Sequence, residues 1–232
     1  MLDAVRAARA VSRVRASGRF VVAGESQGGH AALWTARLAP RYAPDVTLLG
    51  AVALEPPTDL RANLTGGTNA GVRAFLTAYT AASWSEVYPV PLATIVRPLG
   101  ADLIRRIGQN CVTLDGFKLR TKIGLMRLMG QMRGVDLGSS PEWAALMTRN
   151  SVAPQPLGVP LLIVQGGKDQ IVAPAVTRSF VESMCRVGQR LRFIEDAEAT
   201  HMTLGTRDAA AMVEWIGDRF AARAIRDDCG RL

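Results

Sequence analysis

The stretch RFVVAGESQGG, residues 19–29, decides the fold. Its first five residues form a short apolar run with β-branched side chains, which is typical of a buried strand. A glycine-rich turn follows, and the next segment, HAALWTARLAPRY at residues 30–42, is predicted to be helical. The chain is therefore expected to run from a buried strand through a tight turn directly into a helix.

The turn carries the pattern G-x-S-x-G, with Gly24, Ser26 and Gly28 at its defining positions. A strand that turns sharply into a helix strains the backbone of the corner residue and projects its side chain into solvent. Small residues two positions before and two after the corner are expected to prevent a collision between strand and helix. We interpret Ser26 as a nucleophile; the alternative is a serine that only caps the helix.

The rest of the chain continues this alternation of strands and helices. Three more apolar runs are predicted to be strands: VTLLGAVAL (46–54), VPLLIVQ (159–165) and QRLRFIE (189–195). Helical patterns occupy residues 2–14, 172–187 and 206–225. Short apolar strands alternating with helices predict an α/β fold, with a mainly parallel sheet of about four strands and flanking helices.

The segment between the second and third strands has a different character. Residues 59–156 contain many Gly and Pro, short helical patches and no strand pattern, which predicts an inserted helical cap. The predicted α/β core therefore comprises residues 1–58 and 157–232.

A nucleophilic serine needs a general base, and the chain contains only two histidines. His30 lies on the outgoing helix one turn beyond Ser26, from where its ring cannot readily reach back over the corner. His201 follows the fourth predicted strand, and loops at the carboxyl ends of parallel strands are where α/β sheets collect functional groups. We predict that His201 is the base.

An imidazole base needs a carboxylate to fix its tautomer and stabilise its cation. Asp169 directly follows the third predicted strand, at the same expected sheet edge as Ser26 and His201. The alternatives are carboxyl groups at the other strand ends, namely Asp59, Glu195 and Asp196. We favour Asp169 because a glycine turn places it directly at a strand end.

These pieces resemble the secretory lipase family of the α/β-hydrolase fold. The likeness is carried by GESQGG (24–29), VPLLIVQGGKDQIVAP (159–174) and ATHMT (199–203), which bring Ser, Asp and His in the order that this fold uses. The inserted cap matches only in position and character.

The resemblance implies a lipase or esterase that hydrolyses carboxylic esters, directed at triacylglycerols or other lipid esters, through an acyl-enzyme on Ser26. In this scheme His201 is the base, Asp169 the acid, and the backbone N–H of Gln27 an oxyanion donor. The resemblance also implies secretion, and a chemistry that needs no metal or organic cofactor. An acyltransferase or a peptidase of the same fold is the alternative.

The cap leaves two interpretations open. Met126, Met129 and Met132 recur at three-residue steps and either line a tunnel for an acyl chain or pack the cap's own helix. The same alternatives, a substrate entrance or simple packing, hold for three aromatic residues: Trp84, Tyr88 and Trp143. A transient contact of the cap with a lipid surface is a further hypothesis, although no strongly amphipathic basic helix requires it.

The chain departs from the family in what precedes the serine. An α/β-hydrolase sheet normally has about eight strands, with the serine turn after the fifth. Here the turn follows the first predicted strand, and the loop that supplies the second oxyanion N–H has no counterpart. We expect an N-terminally truncated chain that needs the missing half or is inactive. Its first strand would be an exposed apolar edge that favours aggregation.

Composition excludes several other classes of protein. Of the 232 residues, 48% are apolar and 21% charged, which excludes intrinsic disorder. The net charge is +8, but the arginines are scattered singly among apolar residues, so nucleic-acid binding is not predicted. No transmembrane helix or signal peptide is recognisable. Cys111, Cys185 and Cys229 match no zinc-site spacing and leave the disulfide pairing open.

Overall fold

The computed structural model describes residues 1–11, 13, 15–66, 70–109, 119–132 and 134–231. Cys111 lies outside these residues. The chain divides into two compact units. The first comprises Met1–Asp59 and Val152–Leu232 and contains the sheet, and the second, Leu60–Ser151, is helical.

Four parallel strands form the sheet of the first unit, in the order β1-β2-β3-β4. Their bounds are Arg19–Glu25 (β1), Thr47–Leu54 (β2), Leu161–Gly166 (β3) and Leu191–Asp196 (β4). This confirms the predicted α/β fold. Because the strands are parallel, all their carboxyl ends lie at the same edge of the sheet, where the candidate functional residues follow.

Helices connect and cover the strands. Their bounds are Leu2–Ala10 (α1), Gln27–Tyr42 (α2), Leu60–Gly66 (α3), Ala70–Val87 (α4), Pro98–Gly108 (α5), Leu119–Gln131 (α6), Pro141–Asn150 (α7), Pro174–Arg186 (α8), Leu204–Arg207 (α9) and Ala209–Phe220 (α10). The helix predicted to extend to residue 14 ends at Ala10, because Val11 adopts an extended backbone. No described helix is both long and apolar enough to cross a bilayer.

The alternation of side chains along the central strands divides the core of the first unit into two layers. On β2, Ala51 and Ala53 face one layer, where Leu33 of α2 and Val181 of α8 are fully buried. Val52, between them, faces the other layer with residues of α10. Both faces of the sheet are therefore covered, which explains why the two central strands, β2 and β3, are almost continuously apolar instead of alternating.

The strand that leads to the serine, β1, is the outermost strand on one side of this sheet. Among the described strands, β1 pairs only with β2, from Arg19 opposite Thr47 to Glu25 opposite Leu54. On the other side of the sheet, the outermost strand β4 is covered by the C-terminal segment. Asp228 donates its backbone N–H to Leu191 O (2.9 Å) and accepts from Phe193 N through its carboxylate (3.0 Å).

The helical unit has a core of its own. Trp143 is fully buried, donates its indole N–H to Thr94 Oγ1 (2.8 Å) and stacks against Trp84. Tyr88 donates its hydroxyl to Asn150 Oδ1 (3.0 Å). These contacts favour the packing interpretation for the three cap aromatics.

A cavity of about 610 Å³ lies within the helical unit and is lined in part by the methionines of α6 and the turn that follows. Met132 is buried in the core, whereas Met126 and Met129 are exposed at the cavity. The methionine stripe therefore combines both arrangements that the sequence left open: one member packs the unit and two border open space.

A disulfide joins Cys185, at the end of α8, to Cys229 in the C-terminal segment. It closes a loop whose ends are 44 residues apart in sequence. The covalent link therefore fixes the segment that covers β4, and it answers the pairing question for two of the three cysteines.

We predict that the disulfide stabilises the chain by about 2–4 kcal/mol, since it restricts the unfolded state through a loop of this length. Denaturant unfolding with and without reductant measures this contribution. Reductant should lower the midpoint for the native chain and leave it unchanged for the double variant Cys185→Ala/Cys229→Ala. Equal midpoints for the native chain in both conditions would contradict the assignment.

Candidate active site

Ser26 occupies the corner between β1 and α2. Its backbone has φ 55° and ψ −120°, a left-handed conformation that is rare for residues other than glycine. The corner is tied to the neighbouring strand, because Ser26 N donates to Leu54 O (2.8 Å), and His30 N donates to Ser26 O (3.0 Å) in the first turn of α2. The serine side chain is partly exposed, as the sequence pattern predicts.

Glycine is required at this corner, but not at both positions that the pattern suggested. A Cβ at Gly24 would lie 2.1 Å from Gly28 O, a collision between backbone atoms. A Cβ at Gly28 would meet nothing within 4 Å, so the expectation that Gly28 must be small is wrong. Besides Gly24, the position that needs glycine is Gly29. A Cβ there would lie 2.8 Å from Leu54 O, because the first turn of α2 packs directly on β2.

Asp169 lies in the loop after β3 and is buried. Its Oδ1 accepts hydrogen bonds from the backbone N–H groups of Ile171 (2.7 Å) and Val172 (2.9 Å), and its Oδ2 accepts from Gln165 Nε2 (3.3 Å). The two short backbone bonds anchor Oδ1, whereas Oδ2 receives only the longer bond from Gln165 among these contacts.

His201 links this carboxylate to the serine. Its Nδ1 lies 2.8 Å from Asp169 Oδ2, and its Nε2 lies 3.0 Å from Ser26 Oγ, although 175 positions separate Ser26 from His201 in the sequence. With the Asp169 carboxylate ionised, Nδ1–H donates to it and Nε2 accepts from the serine hydroxyl. The three residues that the sequence selected are therefore brought together in one hydrogen-bonded chain.

Close contact between two loops holds Asp169 and His201 at this separation. Lys168 N donates to Ala199 O (2.9 Å), which joins the loop after β3 to the loop after β4. A Cβ at Gly166 would lie 2.7 Å from Ala199 O, and one at Gly167 would lie 2.9 Å from Ala197 Cα. The paired glycines before the acid are thus required by the approach of the histidine loop.

A fourth ionisable side chain, which the sequence analysis missed, belongs to this cluster. Glu55 directly follows β2, is fully buried, and places Oε2 2.9 Å from His201 Nδ1. A carboxyl group immediately after a strand was the signal that could have identified it. The sequence analysis instead considered Asp59 at this strand end, and Asp59 is exposed.

The pKa values of the cluster follow from burial and from these contacts. Burial raises the pKa of Glu55 to about 8, and the neighbouring Asp169 adds to the effect. Burial also acts to raise the pKa of Asp169, but hydrogen bonds from His201 and Glu55 outweigh it and lower the value to about 2. For His201, desolvation acts to lower the pKa, but its contacts with Asp169 and Glu55 outweigh this and hold the pKa above its ordinary value.

The alternative acids and the second histidine are engaged elsewhere. Glu195 forms an ion pair with Arg178, and Asp196 pairs with Arg207 (2.5 Å). His30 Nδ1 lies 3.0 Å from Pro57 O. None of these side chains is in hydrogen-bond contact with the His201 ring among the described residues.

The N-terminus of α2 leaves a backbone N–H donor beside Ser26. Gln27 is the first residue of the helix, so its N–H has no intrahelical acceptor and points out of the helix beside Ser26. The helix dipole favours negative charge at the same place. The geometry thus suits the predicted role of the Gln27 N–H.

The cluster also meets a geometric requirement for metal ligation, since Glu55, Asp169 and His201 each offer a ligand atom within 4.8 Å of the others. A metal ion between them would replace the hydrogen bond from His201 Nδ1 to Asp169. We therefore interpret the cluster as a hydrogen-bonded arrangement rather than as a metal site.

Comparison with known proteins gives a family match over nearly the whole chain. The family model described as secretory lipase matches residues 1–228. A protein of Mycobacterium tuberculosis (strain CDC 1551 / Oshkosh) that is named a probable inactive lipase is 27% identical, over 98% of this chain and 51% of that protein. Lipase 5 of Candida albicans is 26% identical, over 100% of this chain and 52% of that protein.

Solved structures support the same fold. Candida antarctica lipase A superposes with a TM-score of 0.76 at 18% identity, over 99% of this chain and 55% of that structure. A rice cell wall degrading esterase from Xanthomonas oryzae, in a ligand-bound form, gives a TM-score of 0.75 at 16% identity, over 94% of this chain and 64% of that structure. The chain spans about half the length of the relatives it matches.

The glycine contacts at the serine corner give a direct test. We predict that Gly24→Ala and Gly29→Ala each destabilise the chain by more than about 2 kcal/mol, because the added Cβ meets backbone atoms that cannot move independently. Gly28→Ala should stay within about 1 kcal/mol of the native chain, since alanine is the better helix former and has open space. Denaturant unfolding of the three variants measures the difference, and equal destabilisation by all three would refute the described corner.

Proposed function

Because the chain belongs to the secretory lipase family, we propose that it is a serine hydrolase that cleaves carboxylic esters, with lipid esters as the substrate class. One observation carries the mechanism: the continuous hydrogen-bonded chain from Ser26 Oγ through His201 to the Asp169 carboxylate. A serine hydroxyl is a weak nucleophile by itself, and a base in contact with it, oriented by a carboxylate, is the arrangement that activates it.

The proposed reaction begins with attack of Ser26 Oγ on the ester carbonyl carbon. His201 Nε2 takes the hydroxyl proton as the new bond forms, and the carbonyl electron pair moves onto the oxygen. Asp169 stabilises the resulting imidazolium, while the Gln27 N–H donates to the oxyanion. The tetrahedral intermediate then expels the alcohol, which takes the proton from His201. Water repeats the sequence on the acyl-enzyme and releases the carboxylic acid.

Full activity in this proposal needs a second oxyanion donor. The resemblance to the α/β-hydrolase fold assigns that donor to a loop with no counterpart in these 232 residues. Loss of one donor typically lowers kcat by about 100- to 1000-fold. We therefore propose that turnover by this chain alone is slow and that a further segment, such as the other half present in its longer relatives, restores it.

The family also supports an extracellular location, which we propose for this chain. The disulfide between Cys185 and Cys229 agrees with that proposal, since stable disulfides form mainly in oxidising compartments.

A second candidate is a chain that folds but does not turn over substrate. The similar mycobacterial protein named a probable inactive lipase favours this alternative. The two candidates differ in whether Ser26 is reactive, which can be measured without knowing the substrate.

We predict that a fluorophosphonate probe labels the native chain on Ser26 and that Ser26→Ala abolishes the labelling. His201→Gln should slow labelling by about 100- to 10,000-fold, because the general base is lost. Ser179→Ala, which alters an exposed serine on α8, is the matched control and should label like the native chain. Mass spectrometry of the labelled peptide identifies the site.

Hydrolysis of a panel of p-nitrophenyl esters, a thioester and a peptide then tests the reaction class. The proposal expects ester turnover that disappears with Ser26→Ala. A folded chain without labelling would favour the inactive alternative, and labelling that persists in Ser26→Ala would assign the nucleophile elsewhere.

A further inference from the structure

Glu55 has an unusual position at the end of β2. Its backbone N donates to Val164 O (2.8 Å), which extends the pairing of β2 with β3 by one residue. Its φ is 41°, a left-handed conformation that is strained for a glutamate. The side chain is fully buried and lies against the His201 ring and the Asp169 carboxylate. A strained residue with a buried carboxyl group beside a reactive histidine calls for a functional explanation.

The hydrogen bonds of the cluster restrict what Glu55 can do. The His201 Nδ1–H is directed at Asp169 Oδ2, so Glu55 Oε2, although 2.9 Å from the same nitrogen, lies off the donor axis. Neither Glu55 oxygen accepts a well-aligned hydrogen bond from any other described residue. An ionised Glu55 would therefore be a second buried anion beside Asp169, with no donor of its own, and such an arrangement is strongly unfavourable.

A neutral Glu55 removes this conflict. A protonated carboxyl group carries an O–H donor, and the Asp169 carboxylate, with an oxygen within 4.8 Å of a Glu55 oxygen, is an acceptor. The titratable groups that act on Glu55 among the described residues are His201, from the loop after β4, and Asp169, from the loop after β3. With Glu55 neutral, Asp169 is the one anion that faces the imidazole.

We propose that Glu55 is a positioning residue that acts as a neutral carboxylic acid and donates its O–H to Asp169. It thereby holds the Asp169 carboxylate in place behind His201 through the proposed acyl transfer. Its own proton stays on Glu55 throughout: the proton that moves during the reaction comes from Ser26 and passes to and from His201. This inference rests on the proposed function only for its catalytic consequence, since the protonation state of Glu55 can be measured in a chain without activity.

The first test measures stability against pH for the native chain and Glu55→Gln, an uncharged variant that retains a hydrogen-bond donor. Burial raises the pKa of Glu55 from its ordinary 4.5 to about 8. Between these two pH values the folded chain holds one proton more than the unfolded chain. The free energy of unfolding therefore falls as pH rises through this range. The native chain should therefore lose stability relative to Glu55→Gln between pH 5 and pH 6, below the ordinary histidine pKa of 6.5, where His201 is a cation in both the folded and the unfolded state.

The opposite slope would overturn the proposal. If Glu55 were an ionised partner of His201, its pKa would be lowered on folding, and the native chain would gain stability over Glu55→Gln as the unfolded glutamate titrates near pH 4.5. A difference between the native chain and Glu55→Gln that does not change with pH would also count against a proton retained by Glu55.

The second test measures kcat and KM for ester hydrolysis in an assay where the native chain turns over. Glu55→Gln should retain kcat within about threefold, whereas Glu55→Leu, which removes the donor, should lose kcat by about tenfold or more with KM little changed. Rescue by the donor-bearing glutamine is the readout that a purely structural role would not give. Equal kcat for the two variants, with both folded, would overturn the positioning role.

The two tests separate the two proposals. If Ser26 is unreactive and no ester is cleaved, the proposed function fails, and the pH dependence of stability still decides whether Glu55 keeps its proton.

Discussion

The parallel alignment of the four strands is the constraint on which the chemistry of this chain depends. It places every strand's carboxyl end at one edge of the sheet, and each of the four groups of the cluster follows a different strand: Ser26 after β1, Glu55 after β2, Asp169 after β3 and His201 after β4. No side chain has to reach across the molecule, because residues distant in sequence emerge side by side. The topology of the sheet therefore brings together the proposed nucleophile, base and acid.

Close backbone contacts then set the distances within the cluster. Gly24 and Gly29 allow α2 to start directly against β2, and Gly166 and Gly167 allow the acid loop to touch the histidine loop. In each case a Cβ would meet backbone atoms, so the loops could separate only by moving the reactive groups apart. A displacement of about 1 Å at a reacting centre can lower the rate by about two orders of magnitude. In the proposed mechanism, these glycines therefore set the distances between the groups that react.

The sequence predicted what depends on local pattern and missed what depends on the direction of a single side chain. Apolar runs bounded by turns located the four strands. The G-x-S-x-G turn selected Ser26, the presence of only two histidines led to His201, and the glycine turn after the third strand favoured Asp169 over other carboxyl groups at strand ends. Glu55 was missed because an ordinary strand end gives no sign of a left-handed φ that turns the side chain toward the histidine. Gly28 was given a steric role that belongs to Gly29, since only the packing of α2 on β2 reveals which position is crowded. The disulfide could not be assigned, because pairing depends on a distance between segments 44 residues apart.

The most direct test of the account is the tautomer of the His201 ring, measured by ¹⁵N NMR of the folded chain at a pH where the imidazole is neutral. Only two histidines are present, so His201 is assigned by comparison with a His30→Asn variant. A hydrogen bond from Nδ1–H to Asp169, with Nε2 free to accept from Ser26, requires the Nδ1–H tautomer, and that is the result we predict. Observation of the Nε2–H tautomer would contradict the account, because the nitrogen facing the serine could not then accept its proton.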